Sequence, residues 1–230
     1  MKIVAPIPVY GRLPLVKLTV SRLQSFGVIP IIICHEPEAK QLADNLNCEW
    51  LSWSNDPLGY KWNAGFQAAK CYDPDAVIFM GSSDWCSAQY IETAKEYLND
   101  YGMLGMLGCH FADVADQIRL VNWKGYGTGP RHNEPIGIGR VLNRELLQKI
   151  NYTPFDRRLS SGLDWSMWLK AIEAKVQIGI IPPEDIQLLS ISTNRWNNKH
   201  KFMDHWSGKL ASDKLDPKLL DINFSDIYKL

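Results

Sequence analysis

Hydrophobic and polar positions in the first half of the chain form blocks that predict alternating strands and helices. Short apolar runs, which indicate strands buried on both faces, lie at 2–8, 28–34, 48–53, 76–80 and 103–109. Between them, apolar residues at roughly helical spacing predict helices at 12–26, 36–46, 58–71 and 87–99. This order predicts an α/β fold, with a mostly parallel sheet flanked by helices.

Capping and turn residues mark the ends of these elements. Gly27 follows the first helix and terminates it. The segment 54–57, Ser-Asn-Asp-Pro, combines cap-type side chains with a proline and predicts the start of the third helix. Ser87 is predicted to cap the fourth helix.

The second half of the chain is less regular. Strands are predicted at 117–124, 136–142 and 176–181, and helices at 143–150 and 163–174. A glycine-rich segment at 125–130 has the composition of a mobile loop. The sequence after residue 193 is polar and only weakly periodic. We therefore predict one domain over 1–193 and a C-terminal extension over 194–230 that packs on it.

Charge and cysteine content narrow the classes of function. Lysine plus arginine and aspartate plus glutamate number 25 each, so no net positive charge favours a polyanionic partner. The five cysteines show no Cys-x-x-Cys spacing and are expected to be reduced, mostly buried thiols. No apolar run is long enough to span a membrane, and the first residues do not read as a secretion signal. We expect a cytoplasmic protein without a membrane span.

The polar cluster Gly81–Ser82–Ser83–Asp84 follows the predicted strand at 76–80. Ligands of parallel α/β sheets bind outside the carboxyl ends of the strands. This cluster is therefore the first candidate for a site.

Several segments in order resemble the family 2 glycosyltransferases, which have the GT-A (Rossmann-like) fold. They are Ile-Pro-Val-Tyr at 7–10, the run 59–70 that opens Gly-Tyr-Lys-Trp-Asn, 75–85, 137–146, Phe-Asp at 155–156 and Gly-Leu-Asp-Trp at 162–165. The resemblance covers residues 1 to about 180. It implies an enzyme that moves a sugar from a nucleotide-sugar donor, such as a UDP-hexose, to an acceptor hydroxyl, inverting and assisted by Mn²⁺ or Mg²⁺.

The same resemblance implies a metal and diphosphate site around Asp84, which corresponds to a carboxylate of the metal motif. Ser83 is expected to contact the donor, although Gly81 and Ser83 stand where the family commonly has two further carboxylates. His200 is expected to be a late metal ligand, with His205 as the alternative. A turn or helix-start role for Asp84 is the competing interpretation.

For the rest of the donor, the resemblance implies that Pro8, Val9 and Tyr10 wall the nucleotide base. Lys61 is expected to reach the diphosphate or the sugar, and Asn63 to hold the sugar. A solvated helix face is the alternative for Lys61. In the family, an acidic residue after the second strand often contacts the nucleotide base. Glu36 is a weak substitute for that residue here.

Asp164 corresponds to the aspartate of the family's Glu-Asp pair and is the candidate general base, with Leu163 in place of the glutamate. A plain capping role at the helix start is the alternative. The glycine-rich stretch Gly125–Gly129, followed by Arg131 and His132, is expected to close over the donor and acceptor, or to be a surface connection.

Two other functions remain open at this point. A sugar nucleotidyltransferase needs a glycine-rich, arginine-containing loop after the first strand, and the single glycine in 7–12 argues against it. A catalytically inactive nucleotide-sugar-binding module would explain Gly81, Ser83 and Leu163. The acceptor is left open among a saccharide, a small molecule, a protein and a modified DNA base.

Overall fold

The computed structural model of the chain describes residues 1–113, 119–182 and 188–192. Its strands are β1 Ile3–Pro8, β2 Ile29–Ile33, β3 Glu49–Leu51, β4 Ala76–Ile78, β5 Asp84–Cys86, β6 Met103–Gly105, β7 Cys109–Asp113, β8 Arg119–Trp123, β9 Val141–Asn143, β10 Ile178–Ile180 and β11 Leu188–Ser192. Its α-helices are α1 Leu13–Ser25, α2 Pro37–Asn45, α3 Leu58–Ala69, α4 Ala88–Tyr97, α5 Arg144–Lys149 and α6 Leu163–Glu173.

The main sheet has the strand order β10-β6-β9-β4-β1-β2-β3 and is parallel except at β9, which is antiparallel to β4 and β6. The predicted mostly parallel α/β fold is confirmed. β2 and β3 extend the sheet on one side of β1, and the chain then returns to place β4 on the other side. The strand order therefore reverses between β1 and β4, the position where ligands of such sheets bind.

Alternation along the strands places a core on each face of the sheet. Ile3 and Ile7 belong to the cluster that includes Val16 and Val20 of α1, whereas Val4 belongs to the cluster that includes Phe66 of α3. Both clusters are fully buried at these positions. The sheet is thus covered on both faces, which is why its strands are continuous apolar runs.

A second sheet, of order β5-β11-β7-β8, was not predicted. The single strand predicted at 103–109 is wrong, because the chain leaves the main sheet after β6 and enters the second sheet at β7. Gly108 lies at this crossing, and a Cβ there would be 2.4 Å from the Trp123 carbonyl oxygen. The strand predicted at 136–142 is also wrong over most of its length, since only β9 is extended.

Of the two predicted helix caps, the one at α4 is confirmed and the one at α3 is wrong. Ser87 Oγ accepts from Tyr90 N at 3.0 Å and caps α4, as predicted. The cap predicted within 54–57 is wrong: Pro57 occupies the N-cap position and no side chain caps α3. Asn55 accepts instead from the Lys61 ammonium, and Asp56 accepts from Ser160 Oγ at 2.9 Å.

The predicted C-terminal extension, 194–230, lies outside the described residues. None of the helices in the described ranges combines the length and apolarity that a membrane crossing requires.

Candidate active site

A turn after β1 brings Arg12 to the segment that follows β4. Gly11 and Arg12 both have left-handed backbone angles, with φ of 59° and 54°. The turn is held by Glu36, whose Oε2 accepts from Gly11 N at 3.1 Å. The Arg12 guanidinium donates to Ser82 Oγ at 3.2 Å and to Ser83 Oγ at 3.5 Å. A positive charge therefore lies where the sheet order reverses.

Asp84 is buried and faces its own turn. Its Oδ2 accepts from Gly81 N at 2.6 Å, and the Ser190 hydroxyl on β11 donates to the same carboxyl group. Burial raises the pKa of Asp84, and the hydrogen bonds and the charge of Arg12 oppose that rise only in part. The carboxyl group shapes the Gly81–Asp84 turn, which supports the turn interpretation of this residue.

The described residues do not fit a divalent metal at this position. A Cβ on Gly81 would lie 2.8 Å from Asp84 Oδ2, so a side chain there would require the Asp84 carboxyl group to leave its present position. Ser83 contributes a neutral hydroxyl beside a guanidinium, which would repel a dication. Within the ranges that the structure describes, no three His, Cys, Asp or Glu side chains are grouped to hold a metal ion. His200 and His205 lie outside those ranges.

Lys61 is almost fully buried, with 1% of its surface exposed, so the alternative of a solvated helix face is wrong. Its ammonium donates to the Val9 carbonyl and to the Asn55 side chain. Burial lowers the pKa of Lys61 to about 8, against the opposing influence of Cys34 and Glu36. Lys61 therefore holds the backbone that follows β1 through the Val9 carbonyl.

The residues predicted to wall the donor base differ in accessibility. Val9 is fully buried and its N–H donates to Ile33 O at 2.9 Å, so its side chain is part of the core and not of a wall. Pro8 is half-buried at the end of β1. Tyr10 is 60% exposed and is available to a ligand. Of the three, Tyr10 presents the largest accessible surface.

The Asn63 side chain binds the protein backbone. Its side-chain amide donates to Phe155 O at 2.9 Å and its Oδ1 accepts from Phe155 N at 3.1 Å. The residue is buried, with 8% of its surface exposed. These two hydrogen bonds tie α3 to the segment before α6, and the donor-binding role of Asn63 stays a prediction.

Asp164 lies in the first turn of α6 and meets the glycine-rich segment. Its Oδ2 accepts from Arg131 Nη2 at 2.5 Å and from the Tyr126 hydroxyl. No group in the described part of the chain donates to its Oδ1. The Asp164 side chain is 23% exposed. Burial alone would raise its pKa, but the hydrogen bonds of Tyr126 and Arg131 and the charges of Arg131 and Arg140 hold the pKa below its ordinary value.

A buried ion-pair network supports this arrangement. Glu134 accepts from Arg131 through both carboxylate oxygens, at 2.6 and 2.7 Å, and from Arg140 Nη2 at 2.6 Å. The side chains of Glu134 and Arg140 are fully buried. Arg140 also donates to the backbone carbonyls of Pro135, Ile136 and Asp164. The network thus fixes the start of α6 against the 131–140 segment.

Sequence reasoning missed Tyr126, Glu134 and Arg140. The available signal was the pair of charges in the otherwise apolar stretch Glu134-Pro-Ile-Gly-Ile-Gly-Arg140, because charged side chains there must be paired if they are buried.

Asp164 and the Arg12 turn lie at the same end of β4. A Cβ on Gly137 would be 3.2 Å from Asp164 Cβ and 3.4 Å from Phe79 Cε1, so Asp164 and the Phe79 ring both border Gly137, and Phe79 directly follows β4. Ser82 and Ser83, the partners of Arg12, lie a few residues further along the same segment. The segment after β4 therefore has Arg12 among its contacts and Asp164 in its neighbourhood. Ligands of open α/β sheets bind at the carboxyl ends of the strands, where this segment begins.

Comparison with solved structures identifies the fold. The structure of S. aureus TarS is similar with a TM-score of 0.60 and 13% identity, over 84% of this chain and 37% of TarS. That of TarS residues 1–349 is similar with a TM-score of 0.56 and 13% identity, over 83% of this chain and 60% of that one. This chain therefore spans less than two thirds of either. The likeness shows the fold alone, which is the predicted GT-A-like α/β type with a mostly parallel sheet.

No protein-family model matches the sequence, and no curated protein matches it.

Proposed function

We propose that this protein transfers a sugar from a nucleotide-sugar donor, with a UDP-hexose as the first candidate, to an acceptor hydroxyl, with inversion at the anomeric carbon. One observation carries the proposal: the segment after β4 contacts the Arg12 guanidinium through Ser82, and the ionised carboxylate of Asp164 lies in the neighbourhood of the same segment, across Gly137 from the Phe79 ring. Sugar transfer needs positive charge near the departing diphosphate and a base near the attacking hydroxyl. The GT-A-like fold supports this reading.

Asp164 is the proposed general base. Arg131 and Tyr126 both donate to Oδ2, which leaves Oδ1 to receive the acceptor proton. As the acceptor oxygen attacks the anomeric carbon, its proton passes to Oδ1. The bond between the anomeric carbon and the diphosphate oxygen breaks, and its electron pair leaves with the nucleoside diphosphate.

The lowered pKa of Asp164 keeps the carboxylate ionised at neutral pH but makes it a weak base. The proton therefore has to move as the sugar–oxygen bond to the diphosphate breaks, when the acceptor oxygen is most acidic. Arg131, Tyr126 and Arg140 act through Asp164 as positioning residues, because they fix one carboxylate oxygen and the backbone of the same residue.

The surface next to Asp164 suits a flat or ring-shaped acceptor. The Arg131 guanidinium carbon lies 3.4 Å from the centroid of the Tyr126 ring and 5.6 Å from that of Trp165. Aromatic rings and guanidinium planes provide stacking surfaces for sugar rings and bases. We place the acceptor here, with a saccharide as the first class to test.

A donor panel tests the proposal. Purified protein is incubated with UDP-, GDP-, ADP- and CMP-sugars and a set of saccharide, peptide and nucleoside acceptors, and free nucleotide and acceptor mass are measured. We expect nucleotide release and one added sugar with wild type, and neither above background with Asp164→Asn. Binding without any turnover would favour the inactive binding module. Pyrophosphate release from a nucleoside triphosphate and a sugar phosphate would favour the nucleotidyltransferase.

A further inference from the structure

The segment after β4 differs from a metal motif in a consistent way. Asp84 Oδ2 accepts from Gly81 N, a Cβ on Gly81 would lie 2.8 Å from that same oxygen, and the hydroxyls of Ser82 and Ser83 accept from Arg12. Each of these features favours a cationic side chain over a divalent ion at this place. The resemblance to family 2 enzymes implies a metal here, and the described residues provide a guanidinium.

Arg12 lies at the reversal of strand order in the main sheet. The residue follows β1, its partners Ser82 and Ser83 follow β4, and these two strands flank the reversal of strand order. The crevice at such a reversal is where nucleotides bind in open α/β sheets. A guanidinium presents two parallel N–H groups to phosphate oxygens, which gives bidentate recognition.

The surrounding charges are compatible with an anionic ligand. Ser82 and Ser83 are neutral partners, so their hydroxyls position the guanidinium without neutralising it. The Lys61 ammonium adds a second positive charge beneath Val9. Among the residues that the structure describes, the carboxyl groups of Glu36 and Asp84 oppose them: Glu36 accepts from Gly11 N, and Asp84 is buried, where its ionised form is disfavoured.

We propose that Arg12, held by Ser82 and Ser83, binds the diphosphate of the donor and neutralises the leaving group in place of a divalent metal. This inference rests on the proposed function, since it assigns the diphosphate site of the same transferase. It predicts donor binding that does not depend on added metal.

Calorimetric titration of UDP into the full chain tests it, once in EDTA and once in MnCl₂ or MgCl₂. We expect the two Kd values to agree within about threefold. Arg12→Gln should weaken UDP binding roughly 10- to 100-fold, the range for losing a hydrogen bond to a charged group, and leave uridine binding unchanged. Arg12→Lys should recover part of the loss. Lys17→Gln is the matched control, because it removes an exposed positive charge from α1, and it should bind UDP as wild type does.

The outcomes distinguish a failure of the role assigned to Arg12 from a failure of the proposed transferase function. UDP binding that requires Mn²⁺ or Mg²⁺, or that is unchanged in Arg12→Gln, overturns the role of Arg12 and leaves the transferase intact. Failure to bind UDP, GDP, CDP or ADP under either condition overturns both. The circular dichroism spectrum and Tm of each variant are compared with wild type. If Arg12→Gln unfolds, the UDP affinity of Arg12→Lys tests the role of Arg12, and an affinity equal to that of wild type overturns it.

Discussion

The two aspartates near the carboxyl end of β4 have the same chemistry and opposite electrostatics. Asp84 is buried against Gly81 N and Ser190, and burial is the dominant influence, so its pKa is raised. Asp164 is partly exposed and receives hydrogen bonds from Tyr126 and Arg131, which outweigh burial, so its pKa is lowered. The comparison teaches that exposure and hydrogen-bond donors, and not the residue type in a motif, decide whether a carboxyl group is readily ionised.

The largest effect should come from exchanging each aspartate for its amide. Asp164→Asn removes the proposed base and is expected to lower the transfer rate about 10²- to 10⁴-fold with donor Kd unchanged. Asp84→Asn should lower the rate less than about tenfold, because this side chain serves the turn. Steady-state kinetics and UDP titration on both variants check this pair. Equal losses of rate would remove the distinction between the two aspartates.

Burial is the main cause of the pKa shift at Asp84, and Lys61, which is also buried, provides a second test of that effect. Burial lowers the pKa of Lys61 to about 8 from 10.5, so the folded protein releases this proton before the unfolded chain does. The free energy of unfolding of wild type relative to Lys61→Met should therefore rise as the pH increases from about 8 to about 10.5. The rise should be roughly 3 kcal/mol.

Urea unfolding at a series of pH values measures this difference. Lys17→Met, at an exposed position of α1, serves as the control, and its curve should run parallel to that of wild type. A pH-independent difference between wild type and Lys61→Met would show that the ammonium is hydrated in the folded protein.

Gly81→Ala perturbs the Asp84 side of the comparison. The added methyl group would lie 2.8 Å from Asp84 Oδ2, so the carboxyl group must move and its bond to Gly81 N must weaken. We expect a loss of stability of about 1–3 kcal/mol. In an Asp84→Ala background the same change should cost much less, and chemical unfolding of the four proteins measures this coupling. Additive costs would contradict the close contact.

Tyr126→Phe perturbs the Asp164 side and should have the smallest effect. Removing the phenol removes a hydrogen bond that lowers the pKa of Asp164, so that pKa should rise and the acid limb of the kcat profile should move to higher pH. At neutral pH the rate should change only a few-fold. Tyr60→Phe, at an exposed position on α3, is the control. An unshifted acid limb would separate Tyr126 from the titration of the base.

The main sheet was predictable from the sequence because its strands are buried on both faces and its helices carry clear periodicity. The second sheet was not, because β5 and β7 are short and pair with the distant β11. Such pairing leaves no local pattern.

The contacts within the candidate site could not be predicted from the sequence. Asp84 was selected from the end of a predicted strand and Asp164 from the family resemblance, but the environment of each depends on contacts with Gly81, Arg131 and Tyr126. These contacts join residues between 3 and 38 positions apart. Lys61 and Asn63, both on α3, face inward and donate to backbone carbonyls, which periodicity alone does not predict.

The pairing of β11 with β5 determines where the chain can be shortened. Ile191 N donates to Ser83 O at 2.9 Å, and Ser190 lies opposite Asp84. A protein that stops before Leu188 would lose both contacts. The loop that carries Ser82 and Ser83 would then no longer be supported by β11. Deletion series and C-terminal fusions for crystallisation or labelling should therefore keep Leu188–Ser192.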